Sequence, residues 1–296
     1  MTADAKDQFI EIDYEAGLQK GRLNLCYRDE GDPSRPPVLM IMGLNSQLIY
    51  WPQPLVDKIV AAGYRVVRFD NRDSGRTEWL GNPPIAYSLG NMAKDATRLL
   101  GHLDIDKAHV IGASMGGMIS QRLAIDHPAR VRSLCSIMST TGNPEVGGAD
   151  EGVYEALAEE IPPDREEAID HVVALFTLIG SKTYAAEEKP NRRALATAGY
   201  DRSLGHPGGG VRQVAAIALA LDRTAALRNL TVPALVIHGN EDSLINISGG
   251  HATQQAIPGA VWYGHPENGA EGMGHDLPLP LLDRIAAGIL AHLERA

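Results

Sequence analysis

The chain has 296 residues, of which 44% are hydrophobic and 22% are charged, so it is typical of a globular protein with one large domain or two ordinary domains. Acidic residues outnumber basic ones by 37 to 27, giving a formal net charge of −10, and Lys and Arg form no cluster of the kind that follows phosphates. The beginning of the chain is polar, and no run approaches the ~20 apolar residues that span a bilayer. We therefore exclude nucleic acid and membrane as partners and expect a cytoplasmic protein.

Apolar runs typical of β-strands alternate with helical patterns along most of the chain. Two runs, 9–12 and 23–28, flank turn residues around Gly17 and Gly21 and predict an antiparallel hairpin. The later strand-like runs are 38–42, 65–69, 108–112, 133–138, 234–238 and 260–263. The segments with helical spacing of apolar residues are 89–103, 115–125 and 281–293. This alternation predicts an α/β fold, with a mostly parallel twisted sheet flanked by helices.

The alternation stops between residues 140 and 210. A loop-like stretch, TGNPEVGGADEG, precedes one apolar helical face, and HPGGG ends the segment. The apolar face consists of Ala168, Val172, Leu175, Phe176 and Ile179. We interpret 140–210 as a helical unit inserted into a core made of 1–139 and 211–296.

The stretch VIGASMGGMI places one serine among small residues at the end of a predicted strand. A serine becomes an effective nucleophile when a base takes its proton and a sharp strand-to-helix turn exposes its hydroxyl. Side chains two positions before and after it would collide in such a turn, which favours glycine at both positions. Gly112 and Gly116 meet this requirement and indicate Ser114 as the nucleophile.

His275 and Asp242 are the candidate base and acid for this serine. His275 lies in EGMGHDLP, where small residues and prolines predict a loop. Asp242 follows the predicted strand 234–238, so the order along the chain is Ser, Asp, His.

Four polar residues near the acid and the base need separate interpretations. Glu241 adjoins Asp242 and is the alternative acid. We expect His238 to end a strand and Asp276 to have a loop or capping role. His265 is the other histidine close to the candidate base, and we give it no catalytic role.

A tetrahedral intermediate also needs two hydrogen-bond donors for its oxyanion. The backbone N–H of Met115, at the start of the helix after the nucleophile, is one candidate. The second is the N–H of Leu44 in IMGLNSQ, which follows the strand 38–42. A glycine turn without a catalytic role is the alternative interpretation of this stretch.

Together these segments resemble the α/β-hydrolase superfamily over nearly the whole chain. The stretches IMGLNSQLIYWP, RFDNRDSGRT, DKAHVIGASMGG, VPALVIHGNED and GMGHDLP are similar to the esterase group that includes aclacinomycin methylesterase. The resemblance implies a Ser114, Asp242 and His275 triad with backbone donors at Leu44 and Met115. It also implies that 140–210 forms a helical cap over the active site. No cofactor or metal is implied, and no His/Cys cluster has ligand spacing.

The chain departs from this family at two places. Met42 and Gly43 stand where relatives often carry His-Gly, and the following Leu44 is bulky. The approach to His275 is longer than usual, and the loop 264–270 either lines the site or lies on the surface.

Residues outside the triad are assigned structural roles. Asp70, Arg72 and Arg76 in DNRDSGRT predict a network of ion pairs and hydrogen bonds rather than substrate ligands. Cys26 and Cys135 lie in strand-like runs and are interpreted as buried free thiols.

The function predicted from these residues is a serine carboxylic ester hydrolase that acts through an acyl-enzyme on small to medium esters. A cofactor-free perhydrolase or a carbon–carbon bond hydrolase would use the same triad, and a ligand-binding homologue without catalysis is the alternative outside enzymes. The expected partner is a small-molecule ester. The oligomeric state stays open, with a homodimer as one option.

Overall fold

The computed structural model describes residues 6–81, 86–203, 209–264 and 269–296. Within them, one sheet contains eight strands in the order β1-β2-β4-β3-β5-β6-β7-β8. The strands are β1 (Gln8–Ala16), β2 (Gln19–Glu30), β3 (Pro37–Ile41), β4 (Arg65–Phe69), β5 (Ala108–Ala113), β6 (Val131–Ile137), β7 (Ala234–His238) and β8 (Val261–Gly264). β2 pairs antiparallel with β1 and β4, and all other neighbours are parallel. This sheet confirms the predicted α/β fold.

The N-terminal hairpin is confirmed, but its turn is shorter than predicted. The strands are joined by Gly17 and Leu18, and Gly17 has a φ of +58°, which favours glycine. Gly21 lies inside β2 opposite Tyr14, so its assignment to the turn was wrong. A Cβ at Gly21 would lie 2.8 Å from the Tyr14 ring, so glycine at this position accommodates a cross-strand neighbour.

Ten α-helices lie within the described residues. They are α1 (Gln53–Ala61), α2 (Leu89–His102), α3 (Met115–Asp126), α4 (Val153–Ala158), α5 (Arg165–Ile179), α6 (Ala185–Arg202), α7 (Gly209–Ala218), α8 (Thr224–Leu227), α9 (Ile247–Ala256) and α10 (Leu282–Arg295). α2, α3 and α10 confirm the three helices predicted from apolar spacing. In the described part of the chain, no helix combines the length and the apolar character needed to cross a membrane.

Helices cover both faces of the parallel strands. In β3, Leu39 and Ile41 pack into the cluster that holds α2 and α3, whereas Val38 and Met40 pack into the cluster that holds α1 and α10. All four side chains are fully buried, which explains why the strand is a continuous apolar run.

Three helices, α4, α5 and α6, lie within residues 140–210, and α7 crosses the predicted end of that segment. α5 begins after Asp164, whose carboxylate accepts hydrogen bonds from two backbone N–H groups of its first turn. The helix buries Ala168 and Ile179 of its predicted apolar face, and Phe176 meets the Tyr50 ring edge-to-face with centroids 5.5 Å apart. The division into core and cap stays a prediction.

Candidate active site

β5 passes directly into α3 at Ser114. The serine has φ 57° and ψ −124°, a conformation that costs energy for any residue with a side chain. A Cβ on Gly112 would overlap the carbonyl group of Gly116, and a Cβ on Gly116 would overlap the carbonyl oxygen of Ile41. Both glycines are therefore sterically required for the sharp turn.

The three predicted triad residues meet in space. Nε2 of His275 lies 2.8 Å from Oγ of Ser114, and Nδ1 of His275 lies 2.8 Å from Oδ2 and 3.0 Å from Oδ1 of Asp242. Because an ionised carboxylate only accepts hydrogen bonds, we assign the imidazole proton to Nδ1. Nε2 then faces the serine hydroxyl with a free lone pair, which suits it to accept the hydroxyl proton.

The Asp242 carboxylate is fully buried and held by the backbone of its own loop. Its Oδ1 accepts hydrogen bonds from the N–H groups of Leu244, at 3.0 Å, and Ile245, at 2.8 Å. Burial by itself raises the pKa of Asp242, but the charge and hydrogen bond of His275, together with the contact from His238, outweigh burial and bring the pKa well below its ordinary value. The carboxylate is thus ionised across the physiological pH range.

Glu241 points away from the imidazole. Its carboxylate accepts hydrogen bonds from the N–H groups of Lys182, at 2.7 Å, and Thr183, at 2.9 Å, and from the Thr183 hydroxyl. Although burial tends to raise it, these hydrogen bonds hold the pKa of Glu241 below its ordinary value. Between the two adjacent carboxylates, Asp242 is the one that contacts His275.

The segment 179–183 also contacts the loop of the candidate base. The His275 N–H donates to the carbonyl oxygen of Ile179 at 2.8 Å, and Asp276 accepts from the Ser181 N–H at 3.0 Å while pairing with Arg192 at 3.0 Å. This bridge between the acid and base loops was missed from the sequence. No local signal marks it, because its partners are distant in the chain and several of them bind through backbone N–H or carbonyl groups.

Of the two other histidines near the candidate acid and base, the structure describes His238 but not His265. His238 ends β7 as predicted, and its Nε2 lies 3.2 Å from Oδ2 of Asp242. His265 and the rest of residues 265–268 lie outside the described residues, as does most of the loop 264–270. Ala270, the last residue of that loop, is buried in the core.

The loop after β3 lies against Ser114. A Cβ on Gly43 would lie 3.0 Å from Cβ of Ser114, and the Gly43 carbonyl accepts the Ser46 N–H at 3.2 Å in a tight turn. In a trans peptide the carbonyl and the next N–H point in opposite directions, so the Leu44 N–H points away from the turn interior. The Met115 N–H belongs to the first turn of α3, where helical N–H groups have no acceptor within the helix.

Asp70 and Arg72 of the DNRDSGRT segment belong to separate networks. Asp70 accepts hydrogen bonds from the Arg76 N–H at 2.9 Å and from Arg202 of α6 at 2.6 Å. Arg72 forms a bidentate pair with Asp95 of α2, with both contacts at 2.7 Å. Asp70 and Arg72 are buried with their partners, whereas the Arg76 side chain is exposed and pairs with Asp7 at 2.9 Å. These ion pairs and hydrogen bonds accord with the predicted structural role.

The two cysteines are buried and free, as predicted. The Cys26 thiol accepts a hydrogen bond from Arg202 at 3.3 Å, and burial raises the pKa of Cys26 to about 12. Burial likewise raises the pKa of Cys135. Within residues 6–81, 86–203, 209–264 and 269–296, no group of three His, Cys, Asp or Glu side chains could hold a metal ion.

Comparisons with known proteins agree with this architecture. The family model described as alpha/beta hydrolase fold matches residues 36–271. Rhodomycin D methylesterase DnrP of Streptomyces peucetius is 29% identical over 90% of this chain and 93% of its own, and rhodomycin D methylesterase DauP of Streptomyces sp. (strain C5) is 27% identical over 94% and 98%. A thermophilic esterase from Thermogutta terrifontis, 19% identical, superimposes with a TM-score of 0.74 over 97% of this chain and 98% of that structure.

The matching model spans most of the chain, and it covers the sheet and the turn at Ser114. The chain therefore belongs to the alpha/beta hydrolase fold family. The resemblance to methylesterases that the sequence motifs indicated is confirmed by the similarity to the two Streptomyces enzymes.

Proposed function

We propose that this esterase-type hydrolase is a serine carboxylic ester hydrolase that acts through an acyl-enzyme on small to medium esters. The observation that carries the proposal is the imidazole of His275, which contacts Oγ of Ser114 through one nitrogen and Asp242 through the other, at 2.8 Å on each side. Both relatives are named as methylesterases, which supports an ester with a small alcohol group.

In the first half of the reaction, Oγ of Ser114 attacks the ester carbonyl carbon while Nε2 of His275 takes the hydroxyl proton. The resulting imidazolium is stabilised by Asp242, which stays ionised. Collapse of the tetrahedral intermediate breaks the bond to the alcohol oxygen. His275 then returns the proton to the leaving alcohol, and the acyl group remains on Ser114.

In the second half, water attacks the acyl-enzyme and the same imidazole removes its proton. Collapse of this second intermediate releases the carboxylic acid and restores the serine hydroxyl. The N–H groups of Leu44 and Met115 are the proposed donors to the oxyanion in both steps. Each such donor is worth on the order of 10²- to 10³-fold in turnover.

Substitution of the nucleophile tests this mechanism. Ser114→Ala should lower kcat/KM for p-nitrophenyl acetate by about 10⁴-fold or more, because the acyl-enzyme can no longer form. A fluorophosphonate probe should label the wild type and fail to label this variant. Ser34→Ala, which changes an exposed turn serine, is the matched control and should react like the wild type.

Three results would overturn the proposal. Hydrolysis by Ser114→Ala within tenfold of the wild type would remove Ser114 from the mechanism. Faster turnover of hydrogen peroxide with an acyl donor, or of a β-diketone, than of any ester would instead favour the perhydrolase or carbon–carbon bond hydrolase alternative. Failure of the wild type to react with the probe would favour a binding protein without catalysis.

A further inference from the structure

His238 is a second imidazole on the candidate acid. It is the last residue of β7 and is fully buried. Asp242 lies four positions later in the chain. Its Nε2 lies 2.8 Å from the carbonyl oxygen of Ile245 and 3.2 Å from Oδ2 of Asp242. These two contacts place the ring between the strand end and the loop that carries the acid.

The hydrogen-bond partners define the tautomer of His238. The Ile245 carbonyl and the Asp242 carboxylate can only accept, so Nε2 carries the proton, which it donates to the Ile245 carbonyl at 2.8 Å, while Oδ2 of Asp242 lies 3.2 Å from the same nitrogen. On the other side of the ring, a Cβ on Gly250 of α9 would lie 2.5 Å from Nδ1, and Nδ1 has no hydrogen-bond partner in the described part of the chain. A proton on Nδ1 would thus lack an acceptor, and we assign the ring proton to Nε2.

Few charged or titratable groups surround this ring. Asp242 faces Nε2, and α9 contributes His251, whose ring stacks on Trp262 with centroids 4.1 Å apart. His275 contacts both oxygens of the Asp242 carboxylate. Two histidines therefore contact Asp242, His275 of the predicted triad and the buried His238.

We propose that His238 is a positioning residue for the triad, which donates to Oδ2 of Asp242 and keeps the carboxylate turned toward His275. This inference rests on the proposed serine hydrolase mechanism. Oδ1 is held by backbone N–H groups of Leu244 and Ile245, so His238 supplies the side-chain donor to the other oxygen besides His275 itself. The hydrogen bond also withdraws negative charge from Asp242, which weakens the attraction of the carboxylate for a protonated His275.

A pair of substitutions separates this role from simple packing. Met at position 238 fills a similar volume without a donor, whereas the Gln amide nitrogen can reach the position of Nε2. For His238→Met, the acidic midpoint of the pH profile of kcat/KM with p-nitrophenyl acetate should move upward by about half a pH unit. Its kcat should fall about tenfold with KM within about twofold of the wild type. His238→Gln should restore both the midpoint and kcat.

His238→Asn is a second variant without the contact, because its shorter amide ends before Asp242. It should show the same upward shift of the acidic midpoint and replaces the Met variant if that one does not fold. His251→Gln is the matched control because it removes a neighbouring imidazole that has no contact with Asp242. An acidic midpoint in the Met or Asn variant equal to that of the wild type, or no rescue by Gln, would overturn the inference. Loss of probe labelling in the wild type would instead refute the proposed function.

Discussion

Gly116 provides a sharp steric test of the turn that carries Ser114, the proposed nucleophile. A Cβ at this position would overlap the Ile41 carbonyl oxygen and lie 2.6 Å from the Ile41 carbonyl carbon and 2.8 Å from the Met42 oxygen. These atoms are backbone at the end of β3, which parallel strands flank on both sides. They cannot rotate away as a flexible side chain would, so Gly116→Ala must push α3 away from the sheet.

The cost has a stability part and a catalytic part. Overpacking of a core costs about 1–3 kcal/mol, and contact with backbone places this variant at the upper end, so the free energy of unfolding should fall by ~3 kcal/mol. Because Ser114 lies in the same turn, a displacement of α3 by ~1 Å would break its 2.8 Å contact with His275. A misplacement of that size lowers kcat/KM by about 100-fold.

Gly101→Ala is the matched control, because it makes the same substitution where there is space for the added methyl group. Gly101 lies in α2, and a Cβ there would meet no atom within 4 Å. Alanine is favoured over glycine inside a helix by about 0.5–1 kcal/mol, so Gly101→Ala should be as stable as the wild type or slightly more stable, with unchanged activity. The pair thus separates the steric effect from the general effect of alanine.

Urea unfolding followed by circular dichroism, together with p-nitrophenyl acetate hydrolysis, measures both parts. If Gly116→Ala unfolds within about 0.5 kcal/mol of the wild type and keeps activity within about twofold, the close approach of α3 to β3 is not a constraint on this protein.

Two further predictions concern buried charge. Arg202→Met should lower the free energy of unfolding, measured in urea, by about 3–5 kcal/mol, because Asp70 remains buried without its cation. The control Arg165→Met removes an exposed ion pair and should change the free energy of unfolding little. Equal losses in the two variants would contradict this prediction. Burial lowers the pKa of His109 and of His292 from 6.5 to about 4, so below pH 6.5 the unfolded chain binds protons that the folded chain does not. The stability present above pH 6.5 should therefore be lost as the pH falls toward 4. Urea unfolding should show a loss of ~2 kcal/mol per histidine in the free energy of unfolding between pH 7.5 and 5. An equally steep loss of stability with pH in His109→Gln would refute the reasoning.

The turn at Ser114 could be predicted from the sequence because its determinants are local. A strand pattern runs up to the serine, a helical pattern follows it, and glycines stand where side chains would collide. The same local reasoning placed Asp242 and His275 on loops after predicted strands. It failed at Gly21, because what requires glycine there is the ring of Tyr14 on the paired strand.

Polar contacts between distant segments could not be predicted in this way. Arg202 reaches Asp70 across 132 positions, and Glu241 meets the Thr183 N–H across 58. Apolar periodicity indicates which face of a helix is buried, but it does not specify which polar group on another segment will lie opposite a given side chain. The contact between His238 and Asp242 was missed for a different reason, since the strand assignment alone explained the burial of His238.

The acid and base loops are held from two directions. His238 contacts the Asp242 carboxylate from the end of β7, whereas the segment 179–183, which runs from the end of α5 toward α6, binds Glu241 and the backbone of His275. Each contact involves a member of the proposed triad or a residue next to one. These contacts hold the carboxylate and the imidazole in place within the protein itself. Electrostatic stabilisation of a transition state requires this kind of fixed polar environment, because charges that must reorganise during the reaction lose much of their effect.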